Sequence, residues 1–339
     1  FFSDGTSMYT HDVSGTDDAA ENNTAYGFTA LDAITTGDNN VAIGYGAGGV
    51  LTTGVDSTVI GSRAGDALTT GSYNVAIGAS ALSTEDTGRY NTAIGTFALQ
   101  VLNSDTTDAY NTAVGYNAGA AVTTGIQNTI IGGLAGDALT TGGYNVALGV
   151  SALSAEDGHG RNVAIGYSAL ASQNAGADAY NVAIGYAAGE NVTTGVFNTL
   201  VGGQAGDAMT TGNTNTAMGY LALSAETEGD RNVAIGVGAL GVQNNSDTDV
   251  YNVAIGYSAG GAMTTGVQNT IMGGLAGVAL TTGGKNVAIG HSALSTEDAH
   301  GFNVAIGYQA LTSLNAGADA YNTAVGYSAG AAVTTAIKN

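Results

Sequence analysis

The stretch that decides the fold is Asn181-Val182-Ala183-Ile184-Gly185, which recurs with small changes along most of the chain. On a strand, Val182 and Ile184 share one face, and Asn181, Ala183 and Gly185 share the other. Both faces carry apolar or small side chains, so neither is suited to open water. We expect Val182 and Ile184 to fill an interior, which leaves Ala183 and Gly185 facing outward.

The repeat runs through residues 23–339 with a basic period of 17 residues. Counted from the Asn or its equivalent, units begin at 23, 40, 57, 74, 91, 111, 128, 145, 162, 181, 198, 215, 232, 252, 269, 286, 303 and 322. Every fourth unit is longer, so four units form a super-repeat of 70 or 71 residues. Residues 1–22 do not fit the pattern and are expected to be a linker or an N-terminal cap. The repeat is expected to continue beyond residue 339.

This short period predicts stacked β coils, because 17 residues are too few for a helix pair. Frequent Gly, Thr-Thr-Gly closures and apolar residues at period two also disfavour helix. The predicted fold is all-β: a parallel β-roll or β-helix solenoid of about 18 coils. Each coil is expected to carry two short strands, one at the Asn-Val-Ala-Ile-Gly stretch and one through Ala-Leu-Thr-Thr, giving two parallel sheets face to face.

Position-matched side chains are expected to stack into columns. The Asn column is predicted to bond amide to amide between coils, as in other stacked β structures. The Gly column, as at Gly185 and Gly236, is predicted to mark positive φ or a close approach of backbones. Members of the predicted Asn ladder are Asn74, Asn91, Asn111, Asn128, Asn145, Asn162, Asn181, Asn232 and Asn252.

Composition excludes several classes of function. Six Lys and Arg against 27 Asp and Glu give a net charge of −21, which disfavours nucleic acid and anionic membrane surfaces as partners. There is no Cys, so disulfides and thiolate metal sites are excluded. No run of 18 apolar residues occurs, so no segment is predicted to insert into a membrane. No nucleophile elbow, phosphate loop or Cys/His cluster is present. We therefore predict a non-enzyme without cofactor or metal.

One chain is expected to be insufficient by itself. Small outward residues over nearly every coil would let another backbone come close, and strands covered on both faces read as continuous apolar runs. Three rolls around an axis would bury this surface. The alternative is a monomeric solenoid with a bland Ala/Gly face.

The Asn-Val-Ala-Ile-Gly motif followed by a small-residue turn resembles the head repeat of YadA-like trimeric autotransporter adhesins and related repeats in bacteriophage tail fibres. The resemblance covers residues 23–339 in some eighteen copies. It implies a left-handed parallel β-roll, a homotrimer and a binding role on a virion or bacterial cell surface. The unit is longer than the usual head repeat and is organised in fours, and no coiled-coil stalk or neck motif is seen. A phage fibre or another extracellular fibre is therefore at least as consistent as an adhesin.

Acidic turns recur at the third unit of each super-repeat and in the long fourth unit. We expect them to form a solvated acidic edge screened by nearby Arg, with a divalent-cation site and a glycosidase carboxylate pair as alternatives. The third-unit acids are Glu85, Asp86, Glu156, Asp157, Glu226, Glu228, Glu297 and Asp298. The fourth-unit acids are Asp105, Asp108, Asp178, Asp247, Asp249 and Asp319, and the Arg residues are Arg89, Arg161 and Arg231.

Other candidate ligand residues give weaker patterns. Residues 132–139 resemble faintly the Gly/Asp nonapeptide of Ca²⁺-binding β-rolls, but the Asp137 of this unit becomes Val278 in the last copy. The four histidines share no metal spacing and are expected on turns; they are His11, His159, His291 and His300.

Tyrosines bracket one strand in each super-repeat and are predicted to form a shelf for stacking sugars, with packing at coil corners as the alternative. The shelf residues are Tyr110, Tyr116, Tyr180, Tyr186, Tyr251, Tyr257, Tyr321 and Tyr327. The Thr-Thr-Gly closures give Thr rows of the kind an ice-binding face needs. They occur in two of four units beside a turn Gly, which β-propensity and turn chemistry also explain.

The sequence as a whole predicts a structural and adhesive fibre segment, either of a phage tail fibre or of a surface adhesin. A rigid extracellular trimer would present periodic loops for multivalent attachment to a host-surface glycan or protein receptor. The alternatives are a monomeric ice- or glycan-binding solenoid and a subunit of an extracellular filament. A tailspike depolymerase would need a cleft that interrupts the repeat, and residues 23–339 contain no such insertion.

Overall fold

A computed structural model describes residues 2–3, 8–9, 19–104, 108–246 and 249–339. Most of the predicted N-terminal cap lies outside these residues, as do three residues singled out above: His11, Asp105 and Asp247.

The chain forms two compact units. The first comprises Phe1–Tyr167 with Gly176–Asp178, and the second comprises Ser168–Ala175 with Ala179–Asn339. Each unit is a succession of parallel coils, so the prediction of an all-β parallel solenoid is confirmed. The described residues contain no helix, and hence none long and apolar enough to cross a membrane.

Each coil contributes one short strand. In the first unit these are β1 (Phe2–Ser3), β2 (Met8–Tyr9), β3 (Thr24–Tyr26), β4 (Val41–Ile43), β5 (Thr58–Ile60), β6 (Val75–Ile77), β7 (Thr92–Ile94), β8 (Thr112–Val114), β9 (Thr129–Ile131), β10 (Val146–Leu148) and β11 (Val163–Ile165). In the second unit they are β12 (Val182–Ile184), β13 (Thr199–Val201), β14 (Thr216–Met218), β15 (Val233–Ile235), β16 (Val253–Ile255), β17 (Thr270–Met272), β18 (Val287–Ile289), β19 (Val304–Ile306) and β20 (Thr323–Val325). Strands β1 and β2 form an antiparallel pair, and β2 pairs in parallel with β3.

The register of the strands follows the sequence repeat. Val146 pairs with Val163, which is 17 residues later, whereas Thr92 pairs with Thr112 across a long unit. The extra residues of the fourth unit are therefore accommodated in turns, and the strand positions stay aligned from coil to coil.

The phase of the strand differs from the expectation. Ala183 is fully buried, whereas Ile184 is 37% exposed and Val182 is half-buried. Asn181 is fully buried because its amide donates to the carbonyl oxygen of Gly195 at 2.7 Å. Alternation along the strand then turns Val182 and Ile184 outward. The prediction that these two side chains fill the interior was wrong.

The predicted second strand of each coil was also wrong. The described part of each coil instead follows its strand with consecutive turns, in which residues such as Ser80 and Leu82 adopt φ of 53° and 52°. Left-handed residues cannot continue an extended strand. The turns still bond from coil to coil: the N–H of Leu82 donates to the carbonyl of Ala98 at 3.0 Å.

The interior is narrow and filled by small and medium side chains. Around one coil of the first unit, Ala76 on the strand and both Ala81 and Leu82 on the turns are fully buried. The strand contributes Ala because the turns opposite contribute the bulkier Leu.

The Gly that ends each strand is required by the backbone, as predicted. Gly185 has φ of +144° and Gly236 has φ of +131°. A Cβ on Gly236 would lie 2.5 Å from the carbonyl oxygen of Gly256 in the next coil. Both positive φ and close approach of coils exclude a side chain here.

Two adjacent glycines give a test of this requirement. Gly132 has φ of +139° and its Cβ would lie 2.4 Å from the oxygen of Gly149, whereas Gly133 has room for a Cβ. We expect Gly132→Ala to lower the free energy of unfolding by about 2 kcal/mol or more. Gly133→Ala is the matched control and should change it by less than about 0.5 kcal/mol. Urea unfolding would measure both, and equal effects would contradict the assignment.

Candidate functional site

The Asn side chains form an internal network between coils. Asn40 is typical: its N–H donates to Oδ1 of Asn23 at 2.8 Å, and its Nδ2 donates to the carbonyl of Gly54 at 2.9 Å. The predicted amide-to-amide bond is thus mostly replaced by amide-to-backbone bonds. Direct bonds between side-chain amides occur at a few places, such as Asn232 to Asn215 at 3.2 Å.

All nine asparagines of the predicted ladder are buried. They are Asn74, Asn91, Asn111, Asn128, Asn145, Asn162, Asn181, Asn232 and Asn252. Side chains enclosed in this way hold the coils in register and are inaccessible to a ligand.

The first and third residues of each strand from β3 to β20 form a surface that we call the outer face. The first residue is always Thr or Val, and the third is Ile, Val, Leu, Met or, in β3 alone, Tyr. Most of these side chains are half-buried, and several are well exposed, including Ile43, Leu148, Met218 and Met272. No charged residue occurs at either position in these strands. Each unit therefore carries a regular apolar sheet face.

The residue immediately before each buried Asn forms a second surface, which we call the corner ladder. In the first unit it includes Tyr73, Tyr90, Tyr110, Tyr144 and Arg161; in the second it includes Tyr180, Phe197, Arg231, Tyr251, Lys285, Phe302 and Tyr321. Every one of these residues has φ between 51° and 64°. Bulky side chains are uncommon in this left-handed region, so their use at the corner ladder carries a conformational cost.

Rings of the corner ladder stack along the coil direction. Tyr90 stacks on Tyr73 and on Tyr110 with ring centroids 5.0 and 4.9 Å apart, in planes 3° from parallel. In the second unit Phe302 stacks on Tyr321 at 4.8 Å. At other positions of the corner ladder a cation takes the place of a ring. The Arg231 guanidinium, for example, lies 5.3 Å from the centre of the Tyr251 ring. These contacts offset part of the cost of the left-handed backbone.

The other predicted shelf tyrosines lie at the opposite end of the strands. Tyr116, Tyr186, Tyr257 and Tyr327 are all exposed, as are the corner tyrosines Tyr110, Tyr180, Tyr251 and Tyr321. Ring contacts again run between coils: Tyr327 stacks on Tyr308 at 5.2 Å, and Tyr116 meets the edge of Phe97. A strand and its outer face separate the two columns. Glycan contact at these tyrosines stays a prediction.

The first glutamate of each third-unit turn is buried, contrary to the expectation of a solvated edge, whereas Asp157 and Glu228 of the same turns are exposed as expected. Glu85, Glu156, Glu226 and Glu297 have no exposed surface. Each occupies the position that Leu takes in other coils, such as Leu68 one coil earlier than Glu85. The burial of these glutamates could have been predicted by aligning the repeats position by position, because a Glu that replaces a core Leu points inward.

Backbone and side-chain donors compensate the buried carboxylates. Glu85 accepts from the N–H of Gly88 at 2.7 Å and from the hydroxyl of Ser104 at 3.0 Å. Glu226 accepts from the N–H of Gly229 at 2.8 Å and from Nε2 of Gln243 at 2.8 Å. Such bonds make a buried carboxylate tolerable and tie its turn to the next coil.

The arginines pair with acids of the long fourth-unit turns. Arg89 lies 3.5 Å from Asp108, and Arg161 and Arg231 form ion pairs with Asp178 and Asp249. These Asp residues belong to the long fourth-unit turn of the following coil. In the remaining copy, Asp319 accepts from the N–H of Gly301 at 3.0 Å. The pairs pin the longest turns to the preceding coil.

Two histidines share a spacing that the sequence analysis missed. His159 and His300 each follow a buried Glu by three residues, in the segments Glu156-Asp157-Gly158-His159 and Glu297-Asp298-Ala299-His300. His291 instead stacks on Tyr308 at 5.7 Å. Within the described residues, the two Glu-Asp-His sets are the groups of three ligand side chains close enough to share a metal ion.

The Thr-Thr-Gly closures use their first hydroxyl within the fold. Thr52 donates to the carbonyl of Thr69 at 3.0 Å, and Thr193 donates to that of Thr210 at 3.1 Å. These bonds join one coil to the next. They favour turn chemistry over an ice-binding row, because the bonded hydroxyls no longer point to solvent.

The Asp that recurs in the second coil of the super-repeat sits partly buried on its turn. Desolvation by burial raises the pKa of Asp66, Asp137 and Asp207, and their own backbone hydrogen bonds partly oppose it. They belong to neither of the ligand sets found in the described residues, so the resemblance to a Ca²⁺ nonapeptide gains no support here.

The raised pKa of Asp137 predicts a pH-dependent stability. A carboxyl with a folded pKa above its unfolded value contributes stability below the unfolded pKa and loses it as pH rises through the folded pKa. We therefore expect Asp137→Asn to raise the thermal midpoint at pH 7, and the gain to vanish at acid pH. Val278 occupies the equivalent position in the last copy, and introducing the carboxyl there by Val278→Asp should lower the thermal midpoint at pH 7. Thermal melts from pH 3 to 8 would measure both, and a gain independent of pH would contradict the cause.

No protein-family model matches this chain, and no curated protein is significantly similar to it.

Proposed function

We propose that the chain is a non-enzymatic segment of an extracellular fibre, in which copies of the chain pack through their outer faces and periodic surface residues attach to a target. The observation that carries the proposal is the uncharged outer face. In a chain with 27 acidic residues, none lies at the first or third position of strands β3–β20.

A regular apolar sheet face is costly to leave in water. Exposed apolar patches of more than a few hundred Å² mark interaction surfaces on soluble proteins. A sheet face that meets water usually alternates with polar side chains, whereas this face has no charge and the turns are strongly acidic. The distribution of charge thus supports a partner on the outer face and solvent on the turns.

The occupant that we propose is a second and a third copy of the same chain. Coils of 17 residues in one chain would meet coils of the same spacing in another, so identical rows of Val, Thr and Ile would interdigitate along the outer face of each unit. The resemblance to trimeric adhesin and tail-fibre repeats supports three copies around an axis. Repetition of the same surface residues in each super-repeat then gives multivalent attachment on a virion or cell surface.

A charge placed on the outer face tests the assembly. We expect light scattering to give the mass of three chains of 33.2 kDa for the natural protein. Ile77→Glu with Ile235→Glu should reduce this to a single chain, because each substitution buries an unpaired carboxylate at an interface, at a cost of several kcal/mol.

The matched control places a new charge on a turn. Ala120→Asp copies Asp137 at the equivalent position of the next coil and should leave the mass unchanged. A natural protein with the mass of one chain would overturn the proposal of a trimer, and a mass of two chains would replace it by a dimer.

A second candidate function, glycan binding, is favoured by the corner ladder. Asn22 and Asn39 occupy it in the first coils with φ of 60° and 59°, and Asn tolerates this backbone better than Tyr. Later coils nevertheless carry exposed aromatic rings. Four of the six basic residues also lie on this ladder, namely Arg161, Arg231, Lys285 and Lys338. Aromatic planes beside hydrogen-bonding charges suit a sugar ring, and the net charge of −21 favours a neutral one.

Replacing corner rings by Asn tests this function without straining the backbone. We expect Tyr73→Asn, Tyr90→Asn and Tyr110→Asn together to abolish retention of the protein by neutral polysaccharides in affinity electrophoresis. The control removes rings from the other column, with Tyr116→Ser as in the equivalent Ser62. Equal retention of the triple variant and the natural protein would exclude the ladder as the binding surface.

A further inference from the structure

We infer that the two Glu-Asp-x-His turns, Glu156–His159 in the first unit and Glu297–His300 in the second, each bind one divalent transition-metal ion of the Zn²⁺ type. This inference is independent of the fibre proposal. It concerns the turns, whereas assembly concerns the outer face.

The ligand atoms already lie at suitable separations. Oε1 of Glu297 is 3.3 Å from Nδ1 of His300, and Oε1 of Glu156 is 3.7 Å from Nδ1 of His159. In each turn a carboxylate oxygen of the Asp joins them, and all three atoms lie within 4.8 Å of one another. Ligands of a tetrahedral Zn²⁺ ion, each about 2.1 Å from the metal, are about 3.4 Å apart.

The fold orients the buried member of each set. Glu297 accepts from the N–H of His300 at 3.3 Å through Oε1 and from the N–H of Ala316 at 3.2 Å through Oε2. Glu156 accepts from the N–H of His159 at 3.1 Å. Each carboxylate is therefore fixed before a metal arrives, while the imidazole is half-buried beside it. Such orientation of a ligand raises metal affinity.

The imidazole of His159 provides an observation separate from the acidic residues. Its Nδ1 atom is buried and makes no hydrogen bond. A buried nitrogen left without a hydrogen bond is costly. Coordination to a metal next to Glu156 would satisfy it.

The two sister turns show what happens without His. Gly88 and Gly229 occupy the equivalent position, and there the buried Glu receives an additional side-chain donor from the next coil, Ser104 or Gln243. In the turn of Glu297 the residue equivalent to Ser104 is Ala316, which donates only its N–H. In this turn the imidazole of His300 takes the place of that donor, with Nδ1 3.3 Å from Oε1 of Glu297. A metal ion held between these two atoms would compensate the carboxylate from the same side.

The ligand set selects the class of metal. Two carboxylates and one imidazole suit Zn²⁺ and its neighbours, with solvent filling the remaining position. Ca²⁺ needs six to eight oxygen ligands, which one turn with a single imidazole does not provide.

The experiment is a calorimetric titration of the metal-free full chain with ZnCl₂. We expect two tight equivalents per chain and a higher thermal midpoint with Zn²⁺, because a ligand that binds only the folded state stabilises it. His159→Gly and His300→Gly should each remove one equivalent, and the double variant should lose both together with the thermal shift. Excess Ca²⁺ should not displace Zn²⁺.

The Gly variants are expected to fold, because the two sister turns carry Gly at this position, as Gly88 and Gly229. Circular dichroism of the metal-free double variant would verify the fold. If it does not fold, Asp157→Asn with Asp298→Asn removes a surface ligand from each site and should also abolish both tight equivalents. Tight binding that persists in the folded variants, or only weak binding without defined stoichiometry in the natural protein, would overturn the inference.

Discussion

The structure depends on one hydrogen-bonding pattern made by the buried Asn of each coil. Its side-chain oxygen accepts from the backbone N–H at the equivalent position of the next coil, and its side-chain nitrogen donates to a backbone carbonyl on the turn that ends its own repeat. In the second unit, Oδ1 of Asn198 accepts from the N–H of Asn215 at 2.9 Å, and its Nδ2 donates to Gly212 at 2.8 Å. An unsatisfied buried amide would cost about 1–3 kcal/mol. The pattern therefore holds the Asn inside and, through it, determines which way every other strand residue points.

The outward direction of Val and Ile follows from this constraint and leads to the proposed function. A three-residue strand offers two positions on the face opposite to Asn, and the chain fills both with apolar or Thr side chains. A single coil is too narrow to bury these residues as well as the Asn amides. The apolar surface is consequently displaced to the outside, where copies of the chain can bury it.

The turns have a different role, because their residues vary within a constant backbone. Equivalent third-unit turns carry Gly88 or His159 after the buried Glu, and corner positions carry Asn39, Tyr90 or Arg231 at nearly the same φ. The intercoil hydrogen bonds keep the backbone in place, so such positions are free to acquire binding chemistry. The inferred metal turns and the aromatic corner ladder would both be additions of this kind.

The sequence by itself determined the period, the parallel β coils, the super-repeat of four and the Gly column, because each follows from spacing and from backbone sterics. The covering of one strand face by further copies of the chain stays a prediction, and the structure moves it from the Ala/Gly face to the Val/Ile face. Only the tertiary structure decided that Ala183 faces inward and Ile184 outward, since alternation defines two faces but not which of them is inside. The partner of Arg231 was likewise decided by the neighbouring coil, through a contact with Asp249 that lies 18 positions further along the chain. A local motif cannot contain that information, because it depends on how the coils stack.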